Sequence, residues 1–348
     1  MIQVQELERQ IAGVQKSVDN KIRMQISIFM GGIALVVGLA GFIAYKKFEK
    51  ELEEVKKIKE EATKDKNVVS EVKNQAEKEL SNMKERINKE MQNDKAPNEQ
   101  SPELQKDIKT YVKKTTKSIE EYTADDWFFL GYDAQMKEKH EDACFYYRKA
   151  TEIKPNYAEV YYNWGTVLFH LAQLKSDPAL FEESCDKYQK AVENKPNFAE
   201  AYTNWGAALL KLALLKSDPA RFEESIIKYK EAIRIKPDHA NAYNNWGYTL
   251  LQLFKLRNNL DSRKQEEIEA LLLKANEIRK ETGSYNLACL YALTGKDGKA
   301  CQYLEEDLKN NQGIRGRDFI ENDVGFTTLK ESPRFRQLLD KYFPPEES

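Results

Sequence analysis

Three of the four tryptophans stand in one tripeptide, at Asn163-Trp164-Gly165, Asn204-Trp205-Gly206 and Asn245-Trp246-Gly247. The interval is 41 residues both times, and Pro155, Pro196 and Pro237 keep it. A fixed period of this size excludes a single closed core for the region. It marks stacked helical units, each of which buries its apolar face only against its neighbours.

The residues around the tripeptide resemble the tetratricopeptide repeat, whose 34-residue unit reads W-x-x-L-G, then A-x-x-x-F, then A and P. Trp127, Leu130, Gly131, Ala143, Tyr147, Ala150 and Pro155 fit the first unit, and Gly131 lies 34 residues before Gly165. The second shows Ser184, Tyr188, Ala191 and Pro196, the third Ser225, Tyr229, Ala232 and Pro237, each seven residues longer. The extra residues fall around LKSDPALFEES and LKSDPARFEES, where Asp177-Pro178 and Asp218-Pro219 read as a helix cap followed by proline in the first turn. Shared between both helices, they lengthen the hairpin. The fourth unit departs after Phe254, keeping only Leu272 and Ala275; a fifth opens at Asn286-Leu287-Ala288 and continues with Ala300 and Leu304. Phe326, Leu329, Pro333, Phe335 and Leu338 match the ending that often closes such a group. The resemblance spans residues 123–343. It implies an all-α, right-handed superhelix of about five helix hairpins (123–313) with a capping segment (314–348).

The first hundred residues are of another kind. Ile26 to Tyr45 carries no charge, and about 20 residues of helix cross a hydrocarbon core, so the expectation is a transmembrane helix at 26–45. Lys46, Lys47, Lys50, Lys56, Lys57, Lys59 and Lys64 outnumber the basic residues before it, which places the repeats on the cytoplasmic side of a single-pass membrane protein. Before the span, Val4, Leu7, Ile11, Val14 and Val18 predict a short amphipathic segment (1–25). After it, residues 46–92 are Glu- and Lys-rich without Pro or Gly, as an exposed helical stalk requires. Seven-residue steps through Phe48, Val55, Ala62, Val69, Ala76 and Met83, and through Leu52, Leu80 and Ile87, suggest a coiled-coil seam and a parallel homo-oligomer. Lys59, Lys66 and Lys73 interrupt it, and a monomeric rod is the alternative. Asn93, Pro97 and Pro102 break the helix into a linker and lead-in helix (93–122).

Acidic and basic residues nearly cancel, 57 against 55, so no global field attracts nucleic acid. Cys144, Cys185, Cys289 and Cys301 form no C-x-x-C pair and join no histidine cluster, so neither metal nor cofactor is expected. No phosphate loop or nucleophile motif occurs, and the chain is expected not to be an enzyme.

The remaining function is binding. In the resembled family the first helix of each unit lines a concave groove, and the position two before the glycine points into it. Asn163, Asn204, Asn245 and Asn286 hold that position at 41-residue intervals. An amide donates and accepts, so such a ladder suits the backbone of an extended peptide, although it serves equally to bond neighbouring helices. Tyr132, Phe169, His170, Lys211, Tyr248 and Gln252 are the further groove-facing candidates. Phe129 replaces the first asparagine, and Tyr132 stands where repeats that clamp chaperone C-termini carry asparagine, which argues against such a clamp. The expectation is a membrane-anchored adaptor that recruits a protein or peptide in its groove, with structural self-assembly through stalk and solenoid as the alternative.

Overall fold

The computed structural model describes residues 13, 16–17, 19–24, 40–90, 101–115, 118–310 and 315–344. The chain divides into two units, residues 1–92 with 101–121, and residues 93–100 with 122–348. The described elements are all helical, with no strand among the described residues.

The first unit contains α1 (Ala40–Glu90) and α2 (Pro102–Lys114). α1 runs for 51 residues on a composition free of proline, with Gly41 its only glycine. Ser101 caps α2 by accepting from the Leu104 amide at 3.1 Å, and Pro102 fills the first turn, where its missing N–H costs nothing. Leu104, Ile108 and Tyr111, spaced for one helix face, are buried. Arg86 on α1 pairs with Asp107 on α2 at 2.7 Å, and Ile87 beside it is fully buried.

The expected membrane localisation is corrected here. Residues 25–39 lie outside the described residues, as does most of the expected 1–25 amphipathic segment. Among the described residues no helix is long and apolar enough to cross a membrane. α1 takes in only Ala40–Tyr45 of the expected span before Lys46 and Lys47 introduce charge, far short of the ~20 apolar residues a crossing needs. A single-pass membrane protein with cytoplasmic repeats is therefore not supported.

The second unit stacks five helix hairpins. They are α3 (Ala124–Met136) with α4 (His140–Ile153), α5 (Ala158–Lys175) with α6 (Pro178–Asn194), and α7 (Ala199–Lys216) with α8 (Pro219–Ile235). α9 (Ala240–Leu256) with α10 (Ser262–Ile278) and α11 (Ser284–Leu293) with α12 (Asp297–Asn310) follow. The first pair has 13 and 14 residues, the next two 18 and 17, so the added residues do lengthen both helices.

One contact repeats inside the hairpins. A Cβ on Gly165 or Gly206 would sit 2.9 or 2.7 Å from the ring of Tyr188 or Tyr229, so only glycine lets the second helix approach. Ser184 Oγ donates to the Gly165 carbonyl at 2.8 Å and Ser225 Oγ to that of Gly206 at 2.7 Å, locking the crossing. Tyr147, Tyr188 and Tyr229 are 0–1% exposed and form the centre of the core. Trp205 is buried with that core, and Trp164 and Trp246 stand at its edge. Trp164 and Trp246 are half-buried, and Lys187, Lys228 and Lys230 lie over Trp164, Trp205 and Trp246 at 4.2, 3.6 and 5.0 Å from the ring centroids.

The fourth hairpin is complete despite its divergent sequence. Asp261 caps α10 by accepting from the Lys264 amide at 3.0 Å, and Leu272 takes the tyrosine's place against Gly247. Beyond α12, α13 (Arg317–Asn322), a 3-10 turn (Val324–Leu329) and α14 (Pro333–Tyr342) close the stack. Phe326, Leu329, Phe335, Leu338 and Leu339 join one buried cluster with Leu287, Ala288 and Leu304. The segment also lies on α11, where Tyr285 donates to Asp323 Oδ2 at 2.8 Å and Thr328 to the Ala292 carbonyl at 3.0 Å.

Candidate functional site

The turn between the two helices of a hairpin decides what the first helix shows to solvent. In Leu174-Lys175-Ser176-Asp177-Pro178 and in Leu215-Lys216-Ser217-Asp218-Pro219, the serine sits in the left-handed region, φ 50° and 49°, and ends the helix. Asp177 and Asp218 then start the next helix by accepting from the Ala179 and Ala220 amides, both at 2.9 Å. A basic residue at the C-terminal end of each of these first helices, Lys175 and Lys216 in the last turn and Arg257 at the cap, reaches back to the preceding hairpin. Lys175 meets Glu141 at 3.1 Å, Lys216 meets Glu182 at 2.6 Å and Arg257 meets Glu223 at 2.6 Å. The hydrogen bond from each lysine holds Glu141 and Glu182 below the usual carboxylate range.

With those cations turned toward the preceding hairpin, the residue before each is left in water. Leu174, Leu215 and Leu256 are 72%, 51% and 44% exposed. They hold the same place on α5, α7 and α9 at 41-residue intervals. Equivalent positions on successive first helices place the three leucines one per hairpin along the stack. A lone exposed leucine is ordinary; three in register, with Leu214 at 37% exposure beside them, are an apolar patch.

A pocket of about 430 Å³ opens at the start of this row. Counted from the matching glycines Gly131 and Gly165, α5 runs five residues further than α3, and the overhang leaves the space uncovered. Gln135 and Met136 of α3, Glu138 in the turn, His140 of α4, and Thr166, His170, Gln173 and Leu174 of α5 line it. Tyr147 donates to Gln135 Oε1 at 2.7 Å, which orients that amide and leaves its N–H groups to donate elsewhere. Thr166 donates to the Tyr162 carbonyl and accepts from Tyr188. His140 Nδ1 is buried without a partner. Desolvation by the wall, with a further contribution from His140, holds His170 below the usual imidazole range. The pocket is thus a hydrogen-bonding wall of amide, hydroxyl and imidazole groups beside apolar Met136 and Leu174, with one carboxylate at its lip. Among the described residues no group of three His, Cys, Asp or Glu could hold a metal ion.

The asparagines are placed differently from one another. Asn163 is 4% exposed and its Nδ2 donates to the Glu159 carbonyl at 2.8 Å, inside its own helix. Asn204 donates to the Tyr162 hydroxyl at 3.2 Å and Asn286 to Asn244 Oδ1 at 2.8 Å, each bridging neighbouring first helices. Asn245 Oδ1 accepts from Asn244 at 3.4 Å. Tyr132 is 1% exposed against Phe128, and its hydroxyl is pushed well up by burial. Phe169 is half-buried between His170 and Phe181, while Lys211, Tyr248 and Gln252 are half-exposed. Sequence reasoning passed over the leucine row and the pocket. The row was signalled by the 41-residue interval itself, whereas the pocket depends on how far one helix overhangs another.

A TPR repeat model matches residues 221–253 and a tetratricopeptide repeat model matches residues 127–157. No curated protein matches the chain. Among solved structures, PilW, described as a widely conserved type IV pilus biogenesis factor, is 16% identical; the match covers 72% of this chain and 97% of that one, with a TM-score of 0.47. PilF of Pseudomonas aeruginosa is 21% identical over 63% of this chain and 88% of that one, TM-score 0.45. A thermophilic TPR protein of Thermus thermophilus is 18% identical over 57% and 95%, TM-score 0.43. On the two repeat-model matches and the helical elements described above, the chain contains tetratricopeptide repeats within an all-α architecture.

Proposed function

We propose that the repeat unit is a protein-interaction scaffold that recruits its partner along the exposed ends of the first helices. The observation that carries this reading is the row Leu174, Leu215 and Leu256, apolar surface repeated in register where each flanking cation is bonded to the preceding hairpin. A partner that covers it removes three leucine side chains from water, worth roughly 1–2 kcal/mol each at about 25 cal/mol per Å² of apolar area. The pocket beside Leu174 takes a side chain of that partner, and its amide and imidazole groups supply direction. Phe169, His170, Lys211, Tyr248 and Gln252, with the half-exposed Asn204, Asn245 and Asn286, are the further first-helix residues offered to that partner. Asn163 contributes rigidity, since its amide N–H is spent inside its own helix, and the Asn204 and Asn286 amides also bridge neighbouring first helices. The alternative is assembly of the chain with its own copies, through α1 and through the repeats.

A photo-crosslinking residue placed at Leu215 tests the reading, with the same residue at Ile227, equally exposed on second helix α8, as control. Adducts in extracts of the native host from position 215 and none from position 227 support it. Equal adducts from both positions, or adducts from 227 alone, contradict it.

A further inference from the structure

α1 carries an apolar stripe that its own unit covers only at the C-terminal end. Ile87 is fully buried and Leu80 and Met83 are half-buried, whereas further back Ile58 is 36% and Val72 49% exposed and Val55 and Val69 are half-exposed. Between residues 55 and 76 the stripe has a simple rule. Val55, Ile58, Ala62, Asp65, Val69, Val72 and Ala76 follow one another at alternating steps of three and four, the period with which one helix faces another along a left-handed supercoil. Lys59, Lys66 and Lys73, which interrupt a seam drawn through Leu52 and Leu80, then fall immediately outside the stripe, each one residue beyond its second apolar position.

That placement fixes the occupant. In a parallel pair of such helices, the residue just before each first apolar position faces the residue five places further along the partner. Here one flank carries Glu54, Glu61 and Val68 and the other Lys59, Lys66 and Lys73, all exposed. Parallel pairing in register therefore sets Glu54 against Lys59 and Glu61 against Lys66 of the second copy. Antiparallel pairing sets like flank against like, lysine facing lysine and glutamate facing glutamate, which repels. Asp65 interrupts the apolar stripe, and a polar residue within a seam fixes register at a cost in stability.

We infer that α1 pairs with a second copy of this chain, parallel and in register, through Val55, Ile58, Val69 and Val72, with Glu54 and Glu61 facing Lys59 and Lys66 across the pair. This is independent of what the repeats bind.

The test uses the full-length chain. Val55→Cys and, separately, Glu60→Cys on the outer face are oxidised mildly and run without reductant beside the unsubstituted chain, whose Cys185, Cys289 and Cys301 are buried and Cys144 half-buried. Disulfide-linked dimer from Val55→Cys, at least tenfold above the other two, is expected, because only a parallel pair brings position 55 to itself. Equal yields from Val55→Cys and Glu60→Cys overturn the proposal. A charge swap gives an independent measure that leaves the helix intact. Glu54→Lys with Glu61→Lys raises the dimer dissociation constant in sedimentation at least tenfold, and mixing with the Lys59→Glu, Lys66→Glu chain restores a heterodimer. A charge-swapped chain that dimerises as tightly as the original contradicts the register.

Discussion

At the scale of single residues, the stack is decided by glycine and tyrosine more than by tryptophan. Burial ranks Tyr188 and Tyr229 at the centre and Trp164 and Trp246 at the edge. The tripeptide was easy to see because tryptophan is rare, but its glycine is the tightly constrained member. Gly206→Ala is expected to cost about 1–3 kcal/mol in urea unfolding, because the new methyl meets the ring of fully buried Tyr229 at 2.7 Å. A change within a few tenths of a kcal/mol would mean the hairpin opens at no cost. The asparagine ladder shows where sequence reading stops: the 41-residue interval places the amides on equivalent helices, but not what each one bonds. Asn163 turns to its own backbone and Asn204 to a neighbour's tyrosine, a choice made by the residues at Glu159 and Tyr162.

At the scale of elements, starts and lengths were legible, and the fourth hairpin only in part. Asp177-Pro178 and Asp218-Pro219 begin helices because aspartate and proline satisfy a first turn by local chemistry alone. Only Leu272 and Ala275 marked the second helix of the fourth hairpin, because Leu272 replaces the tyrosine, a substitution that the contact with Gly247 explains. The junction before α9 carries a titratable contact. Thr203 Oγ1 donates to the Ala199 carbonyl, so its bond to His239 Nε2 at 3.2 Å requires the imidazole to donate from that nitrogen. Burial first, and then Lys236 and Arg279, hold His239 below its ordinary value of 6.5, against opposing contributions from Glu200 and Asp238. The unfolded chain therefore takes up the proton first, and this contribution to stability, present above about pH 6.5, is lost progressively as pH falls below that value toward the folded-state one. Thermal unfolding at pH 7.5 and 5.5 is expected to show a smaller drop in Tm for His239→Gln, which can still donate to Thr203 without titrating. An equal drop in both proteins would remove His239 from the acid response.

At the scale of the molecule, periodicity located the repeats and their closing segment, since Phe326, Leu329 and Phe335 recur in a known order. It did not locate the surface that the repeats leave open. The leucine row exists because Lys175, Lys216 and Arg257 pair with the preceding hairpin, and the pocket exists because a longer hairpin follows a shorter one. Both depend on neighbours 34 residues away or more. The apolar run before α1 illustrates the opposite error, in which composition alone set an expectation of membrane crossing that no described helix supports.

The most direct test of the scaffold reading compares two triple variants of equal thermal stability as baits in host extract. One is Leu174→Glu, Leu215→Glu, Leu256→Glu and the other is Asn163→Ala, Asn204→Ala, Asn245→Ala. Proteins held by the unsubstituted chain are expected to be lost at least tenfold from the leucine variant and retained by the asparagine variant within about twofold. Loss from the asparagine variant with full retention by the leucine variant would contradict the account and return the binding site to the amide ladder.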